Sequence, residues 1–428
     1  MHTPDVVGDR MAGPGIRAWN FARELAKHVD TTLIAGVAPQ TEGLTPPNQR
    51  SDPDAANQRP DPANRRSDPA AAQRSDPAAA QTEGLTPNAA NGRPISPIGP
   101  IRPIGPIVSP GAFTILPHNS PDARRALRQA DVLIGQPARR FGRKRRDQRV
   151  VYDMFDPTVL ELRELYGTFP SLRQRVHLAA EWWRLSSAMI DGDLLIAASE
   201  KQKELYRALQ ANDAPWITVP FGIDPADVKA CPKPQDNVVV WGGGVWEWLD
   251  PATAIEAVLR LNAEGLRCKL LFLGRARPSG VQVVDRRRES RFDRMLAEGG
   301  PHVSANNEWV PYSQRLAWLR SGKIAIMLHR PTAEADYSIR TRLFDAIAAA
   351  VPVVATERGF AAELVEKEKL GIVVAPGDVE GVARAVRRLL SDDAFYSDCV
   401  RNLERIQPRF AWDNVTRPLV DAILKWLN

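Results

Sequence analysis

Short apolar runs alternate with amphipathic stretches over most of this chain, and the alternation has the rhythm of strand followed by helix. Ile16, Trp19, Phe21, Ala22, Leu25 and Ala26 repeat at helical spacing and predict a helix over about 15–28, before a strand at 31–35. Further on come a short strand at Phe113–Leu116, a helix at Asp122–Ala130 and a strand at Val132–Ile134. Val150–Tyr152 and Leu194–Ala197 are the next apolar runs, separated by a long helical region through Glu181, Trp182 and Trp183, and a further helix starts at Glu200. The segment ITVPFGIDP at 217–225 reads as a crossover into a second set of elements. There the strands are Val238–Trp241, Leu270–Leu273, Ile324–Leu328, Val353–Ala355 and Ile372–Val374. They are continuous rather than alternating, as expected of a parallel sheet covered on both faces. Val379, Val382, Ala383, Val386, Leu389 and Leu390 mark one face of a later helix. Two doubly wound α/β halves follow from this pattern, with ligands expected at the carboxyl ends of the strands.

Residues 39–110 break the rhythm. They are dense in proline, lack aromatic residues and lysine, and repeat short units such as TEGLTP, RSDPAAAQ and PIGPI. Such a composition buries too little apolar surface to offset chain entropy, so it predicts a disordered Pro/Ala-rich insertion in the first half. Closing so long a loop costs only roughly 2 kcal/mol more than closing a five-residue one.

The chain has 428 residues, enough for two domains, and a formal net charge of +6. The run RRFGRKRRDQR at 139–149 accounts for that excess, leaving the rest neutral in sum. One basic patch argues against a nucleic-acid-binding surface and suits contact with an acidic membrane surface. Charges interrupt residues 1–30, no apolar stretch is long enough to span a bilayer, and the three cysteines lie far apart. A cytoplasmic protein, peripheral on the inner membrane face, is the expectation, without a structural metal.

Several segments carry chemistry in combination. They are MAGPGIRAWNFARELA (11–26), VVYDMFDP (150–157), DLLIAASEKQKELY (193–206), VPFGI (219–223), WGGGVWEWLDP (241–251), WVPY (309–312) and SIRTRLFDAIAAAVPVVAT (338–356). In order and spacing they resemble family 4 glycosyltransferases. The resemblance implies the GT-B fold, two Rossmann-like domains facing each other across a cleft, here 1–218 and 219–404, with 405–428 packing back on the first. It also implies retaining transfer of a sugar from a nucleoside diphosphate.

Gly13 and Gly15 open a helix, where close backbone approach and a helix N-terminus suit a phosphate; a plain tight turn is the alternative. Only Val6 and Val7 look like a strand before them, so the first strand is either curtailed or begins upstream of this sequence. The resemblance places Gly243 and Gly244 near the donor phosphates, but Trp246, Glu247, Trp248 and Asp250 stand where relatives supply cations. Arg340 and Arg342, at the start of a helix over 342–350, are the expected replacements, unless they form salt bridges with Asp336 or Asp345. The resemblance gives Asp345 the ribose hydroxyls and Val310 the base. Tyr337 occupies the position of a family glutamate, leaving Glu334 as its stand-in near the sugar. Asp156-Pro157 reads as a helix cap, making Asp153 the freer carboxylate to orient or deprotonate an acceptor. His329 ends a strand beside the cleft, within reach of a phosphate.

The resulting expectation is a metal-independent hexosyltransferase without a cofactor, using a nucleotide-sugar donor and a polysaccharide, lipid-linked or small acceptor. A nucleotide-sugar 2-epimerase of the same fold and a non-catalytic nucleotide-sugar-binding scaffold remain alternatives.

Overall fold

The computed structural model describes residues 1–7, 11–37, 113–137, 141, 144–210, 212–224, 237–246, 248–274, 286–306 and 310–428. They belong to one compact unit, Met1–Thr41 with Pro100–Asn428. The expected insertion at 39–110 lies outside the described residues.

The first half contains β1 (His2–Val7), α1 (Gly13–Leu25), β2 (Thr32–Val37), β3 (Thr114–Pro117), α2 (Pro121–Gln129) and β4 (Val132–Gly135). It continues through β5 (Arg149–Asp153), α3 (Thr158–Tyr166), α4 (Leu172–Asp191), β6 (Leu194–Ala197), α5 (Glu200–Arg207) and β7 (Trp216–Thr218). Its strands form one sheet in the order β3-β2-β1-β4-β5-β6-β7, with parallel pairings throughout.

The second half runs β8 (Val238–Trp241), α6 (Pro251–Ala263), β9 (Lys269–Phe272), α7 (Arg286–Glu298), β10 (Val303–Ala305), α8 (Arg315–Arg320) and β11 (Ile324–Met327). Next come α9 (Ala333–Tyr337), α10 (Thr341–Ala349), β12 (Val353–Thr356), α11 (Gly359–Glu368), β13 (Gly371–Val374) and α12 (Val379–Ser391). Its parallel sheet has the order β10-β9-β8-β11-β12-β13. The chain ends in α13 (Asp393–Ile406), α14 (Trp412–Val415) and α15 (Arg417–Leu427).

A strand does stand where the sequence showed almost none. β1 is polar, yet His2 and Thr3 are buried between β2 and β4. Its pairing is irregular: His2 faces Ile34 but Val6 faces Gly36, and β4 is met only at Gly135. Pro4 has no N–H to give a ladder, which accounts for pairing that fails in the middle of the strand.

The two halves are joined twice. The outgoing chain at Ile223 and the returning chain at Ala411 lie side by side in a parallel bridge. Around this double crossing sits an aromatic cluster: Phe221 packs 5.1 Å from Trp412, 5.6 Å from Phe344 and 6.0 Å from Phe155 between ring centres. Beyond the crossing, α14 packs on α1 and α15 on β7, both in the first half. Among the described residues no helix is long and apolar enough to cross a membrane.

Strands β2 and β3 are parallel neighbours, with Thr32 opposite Thr114 and Ala35 opposite Pro117. Any connection between them must return along the strand length, which takes about a dozen residues. Replacing 39–110 with a linker of that size is expected to leave a single cooperative melting transition, checked by calorimetry. Loss of that transition would make the segment part of the fold.

Candidate functional site

The site is built where helix N-termini of the two halves meet above the strand ends. Gly13, Pro14 and Gly15 are the first turn of α1 rather than a loop before it, and no side chain caps that end. A Cβ on Gly13 would lie 3.1 Å from Thr341 Cγ2, the first residue of α10 in the opposite half. Two uncapped helix N-termini therefore converge, each contributing free N–H groups and a partial positive charge.

Beside them stands Arg342. Its guanidinium lies 5.4 Å from the Trp241 ring centre, donates from Nη2 to the Gly244 carbonyl, and keeps Nη1 buried with no hydrogen-bond partner among the described residues. Burial, and then the charge of Arg340, pull its pKa down to about 9. Gly243 makes room for it: φ is +80°, and a Cβ there would come within 3.4 Å of Arg342 Nε. A cation held this way, short of one partner and at the head of a helix, is poised for an anion.

Arg340 is occupied. Its two terminal nitrogens donate to the two carboxylate oxygens of Glu334, each at 2.7 Å, and Glu334 is fully buried. The two side chains expected separately at the phosphate and the sugar are thus one ion pair. Neither Asp336 nor Asp345 bridges to Arg340 or Arg342: Asp336 pairs with Arg358, and Asp345 accepts from Arg315 Nε at 3.0 Å. Burial raises the Asp345 pKa, against the opposing pull of Arg315. Val310 is partly buried against the main apolar core.

His329 is buried and neutral, its pKa taken down to about 4 by burial and then by Arg340. Its ring Nδ1 lies 3.2 Å from the Arg330 carbonyl. With Nδ1–H donating there, an assigned tautomer, Nε2 offers a lone pair, which suits a hydroxyl rather than a phosphate oxygen. The Gly-rich loop is strapped to this strand end, because Leu249 bridges His329 and Arg330 N donates to the Trp248 carbonyl. Asp250 caps α6 at the far end of that loop.

In the first half the roles expected of the two aspartates are reversed. Asp153 is held by Arg17, with Nε to Oδ2 at 2.7 Å and Nη2 to Oδ1 at 3.0 Å, while Arg17 Nη1 donates to the Pro220 carbonyl at 2.9 Å. Both side chains are buried, and the Arg17 guanidinium lies 4.4 Å from Phe21 and 4.8 Å from Phe155. Asp153 is therefore committed to structure. Asp156 does not cap α3; Pro157 occupies the cap position, and no side chain bonds the helix end. Burial, followed by the charges of Glu161, Asp5 and Asp153, raises the Asp156 pKa well above the carboxylate range. Asp156 opens into a cavity that also takes in Asp153, Leu160, Glu181, Trp182 and Tyr206.

Glu161 on α3 faces the second half, where α3 touches α9. Its pKa is pushed up to about 7, by burial first and the Glu334 charge second. Neither Arg17 nor Glu161 stood out in the sequence. A lone arginine on the apolar face of α1, four residues before Phe21, was the available signal for the first; Glu161 had none, because its partner lies in the other half.

Among the described residues no group of three or more His, Cys, Asp or Glu side chains is placed to hold a metal ion. In the basic run, residues 139, 140 and 143 lie outside the described residues. Of the rest, Lys144 and Arg149 pair with Asp193, and Arg145 pairs with Asp131 and Asp147. Neighbouring carboxylates thus pair with three of the four described cations of the run.

Residues 236–392, from just before β8 to the end of α12, match the family described as Glycosyl transferases group 1. An uncharacterized glycosyltransferase of Methanocaldococcus jannaschii is 33% identical over 79 residues, 18% of this chain and 20% of the relative. The match thus spans about a fifth of that relative's length. Sucrose-phosphate synthase from Thermosynechococcus elongatus superposes with a TM-score of 0.61 over 100% of this chain and 99% of its own, at 14% identity. WaaG, a glycosyltransferase involved in lipopolysaccharide biosynthesis, gives 0.58 over 99% of both chains at 15% identity. HepE from Anabaena, solved with UDP-glucose, gives 0.54 over 73% of this chain and 86% of its own, at 14% identity. The fold is GT-B: two Rossmann-like domains facing each other across a cleft.

The Glu161 carboxyl yields a pH signature. Its pKa lies near 7 folded against 4.5 ordinarily, so its contribution to stability is full below pH 4.5 and is lost as pH rises through 7. Glu161→Gln is expected to melt with the wild type at pH 4.5 and a few degrees higher at pH 8. Thermal melts across that range check it, and parallel curves for the two proteins would refute it.

Proposed function

We propose that this protein is a glycosyltransferase that binds a nucleoside-diphosphate sugar between its two halves and transfers the sugar with retention. The match of 236–392 to glycosyl transferases group 1 and the GT-B frame support sugar transfer. The observation that carries the donor site is Arg342, a buried guanidinium with an unpaired Nη1 between Gly243 and the N-terminus of α10.

In this reading the donor diphosphate lies against Arg342, with the N–H groups of α10 and α1 on either side. Negative charge growing on the leaving diphosphate meets groups already oriented toward it, so little reorganisation is needed in the transition state. Arg340 acts through Glu334, holding that carboxylate in place beside the sugar. His329 Nε2 accepts a sugar hydroxyl. The free oxygen of Asp345 takes the ribose while Arg315 fixes its carboxyl. Asp156, rather than Asp153, is the carboxyl available to the acceptor, in the cavity beside Trp182 and Tyr206. The acceptor is a hydroxyl compound, and the sugar attaches from the face the diphosphate leaves.

Protein cations do the work of charge neutralisation here, so donor turnover is expected to persist in EDTA. Loss of turnover that magnesium or manganese restores would refute metal independence.

The decisive residue is Arg342. Arg342→Ala removes a charge-assisted contact of about 1.5–3 kcal/mol, so UDP or GDP should bind roughly 10- to 100-fold more weakly. The melting temperature without nucleotide should hold or rise, because a desolvated cation short of a partner is removed. Arg342→Lys should recover only part of the binding, since an ammonium does not reproduce the planar fork. Calorimetric titration of both variants checks this, and unchanged affinity in folded Arg342→Ala would remove the residue from the donor site.

A further inference from the structure

Helix α4 has two apolar faces where a surface helix needs one. Leu185, Ala188 and Met189 enter the core beneath β5 and β6. On the opposite side, Leu172, Val176, Ala179 and Ile190 fall within a sector of about 60° at 3.6 residues per turn. That second face points outward: Leu172 is 78% exposed, Val176 62% and Ile190 57%. Phe169, in the turn leading into the helix, is 92% exposed. Single exposed apolar residues are ordinary, but an aligned row running the length of a 20-residue helix is not.

Around the first half of the row the charge has one sign. Residues 165–180 contain Arg173 and Arg175 and no Asp or Glu. Both arginines are exposed, lie to either side of the row, and form no ion pair among the described residues; Arg175 Nε donates only to the Pro170 carbonyl, at 3.1 Å. At the other end of the helix Lys144 Nζ lies 3.3 Å from the Asp191 carbonyl, which brings the described part of the basic run to that end. Glu181, the acidic residue in the middle of α4, sits on the side away from the row and pairs with Arg184.

We propose that this face of α4 is a membrane-docking surface that lies flat on an anionic lipid bilayer. Phe169, Leu172, Val176 and Ile190 enter the headgroup boundary, while Arg173 and Arg175 meet lipid phosphates from either side. An apolar row flanked by arginines matches a surface that is apolar below and anionic at its rim. The unpaired arginines also distinguish this occupant from a second copy of the chain, which would bring the same cations against themselves. The basic run at 139–149, three of whose four described cations pair with carboxylates, supplements this surface and does not define it.

The test is flotation of the full-length protein with vesicles of phosphatidylcholine, with and without phosphatidylglycerol. Wild type should float with the anionic vesicles and far less with the neutral ones. The double substitution Leu172→Gln, Val176→Gln and the single Phe169→Ser should each weaken binding about tenfold or more, with melting temperatures unchanged because these positions are exposed. Arg173→Gln with Arg175→Gln should abolish the preference for anionic vesicles. Equal flotation of wild type with both vesicle types would overturn the proposal, as would wild-type binding by the Leu172/Val176 variant. So would a dimer, seen by sedimentation equilibrium, that the same variant dissolves.

Discussion

Arg17 is the fixed point of this molecule. Its guanidinium is completely buried, bonds Asp153 twice and the Pro220 carbonyl once, and lies against Phe21 and Phe155. One side chain thereby ties α1 to the end of β5 and to the start of the passage into the second half. A buried charge is tolerable only when its partners are complete, and losing one partner of such a pair costs about 3–5 kcal/mol. The position of Gly13 depends on this arrangement, because Gly13 stands one turn before Arg17 on the same helix. With α1 held there, its N-terminus faces Thr341, and the two halves share one anion-binding region.

The second half supplies the complementary part in a different way. Arg340 and Arg342 are two residues apart at one helix start, and the fold gives them opposite fates. Arg340 is paired through both terminal nitrogens with a fully buried Glu334, whereas Arg342 has no carboxylate partner among the described residues; each keeps one buried nitrogen without a hydrogen bond. Burial, and then the charge of Glu334 across the interface, keep the proton affinity of Glu161 high. The cleft is therefore an electrostatic balance in which one cation is reserved and several carboxyls compete for protons. Anion binding at Arg342 would relieve a cost that the empty protein bears, which places stability and ligand affinity in opposition at this residue.

Much of the architecture was legible in the chain. Apolar runs such as Val238–Trp241 and Val353–Ala355 carry their identity locally, since a strand covered on both faces has little freedom to be polar. β1 escaped because it breaks that rule: a sequence of His2, Thr3, Pro4 and Asp5 is central by position, not by composition. The site was legible as a list of residues and not as a set of partnerships. Asp153 and Asp156 are three apart on one segment, and only the long-range approach of Arg17 decides which is free. Asp156-Pro157 has the form of a cap, yet the helix starts later, so a local motif misled where tertiary packing ruled. Arg340 and Glu334 were assigned to different chemical tasks because spacing along the chain does not reveal a bidentate embrace.

The double crossing at Ile223 and Ala411 bears on how the protein is made. Gly222 has no room for a side chain, since a Cβ there would stand 2.3 Å from the Trp412 ring. Trp412 in turn lies edge-on to Phe21 on α1 and to Phe221. The first half, although synthesised first, takes its covering layer from the last part of the chain. During translation it must wait, with Phe21 and Phe221 uncovered, until the whole second half and α14 have emerged from the ribosome. Domain-by-domain folding from the N-terminus, the usual route for a two-domain chain, would leave that surface bare. The exposure of that aromatic surface lasts until the final segment is made.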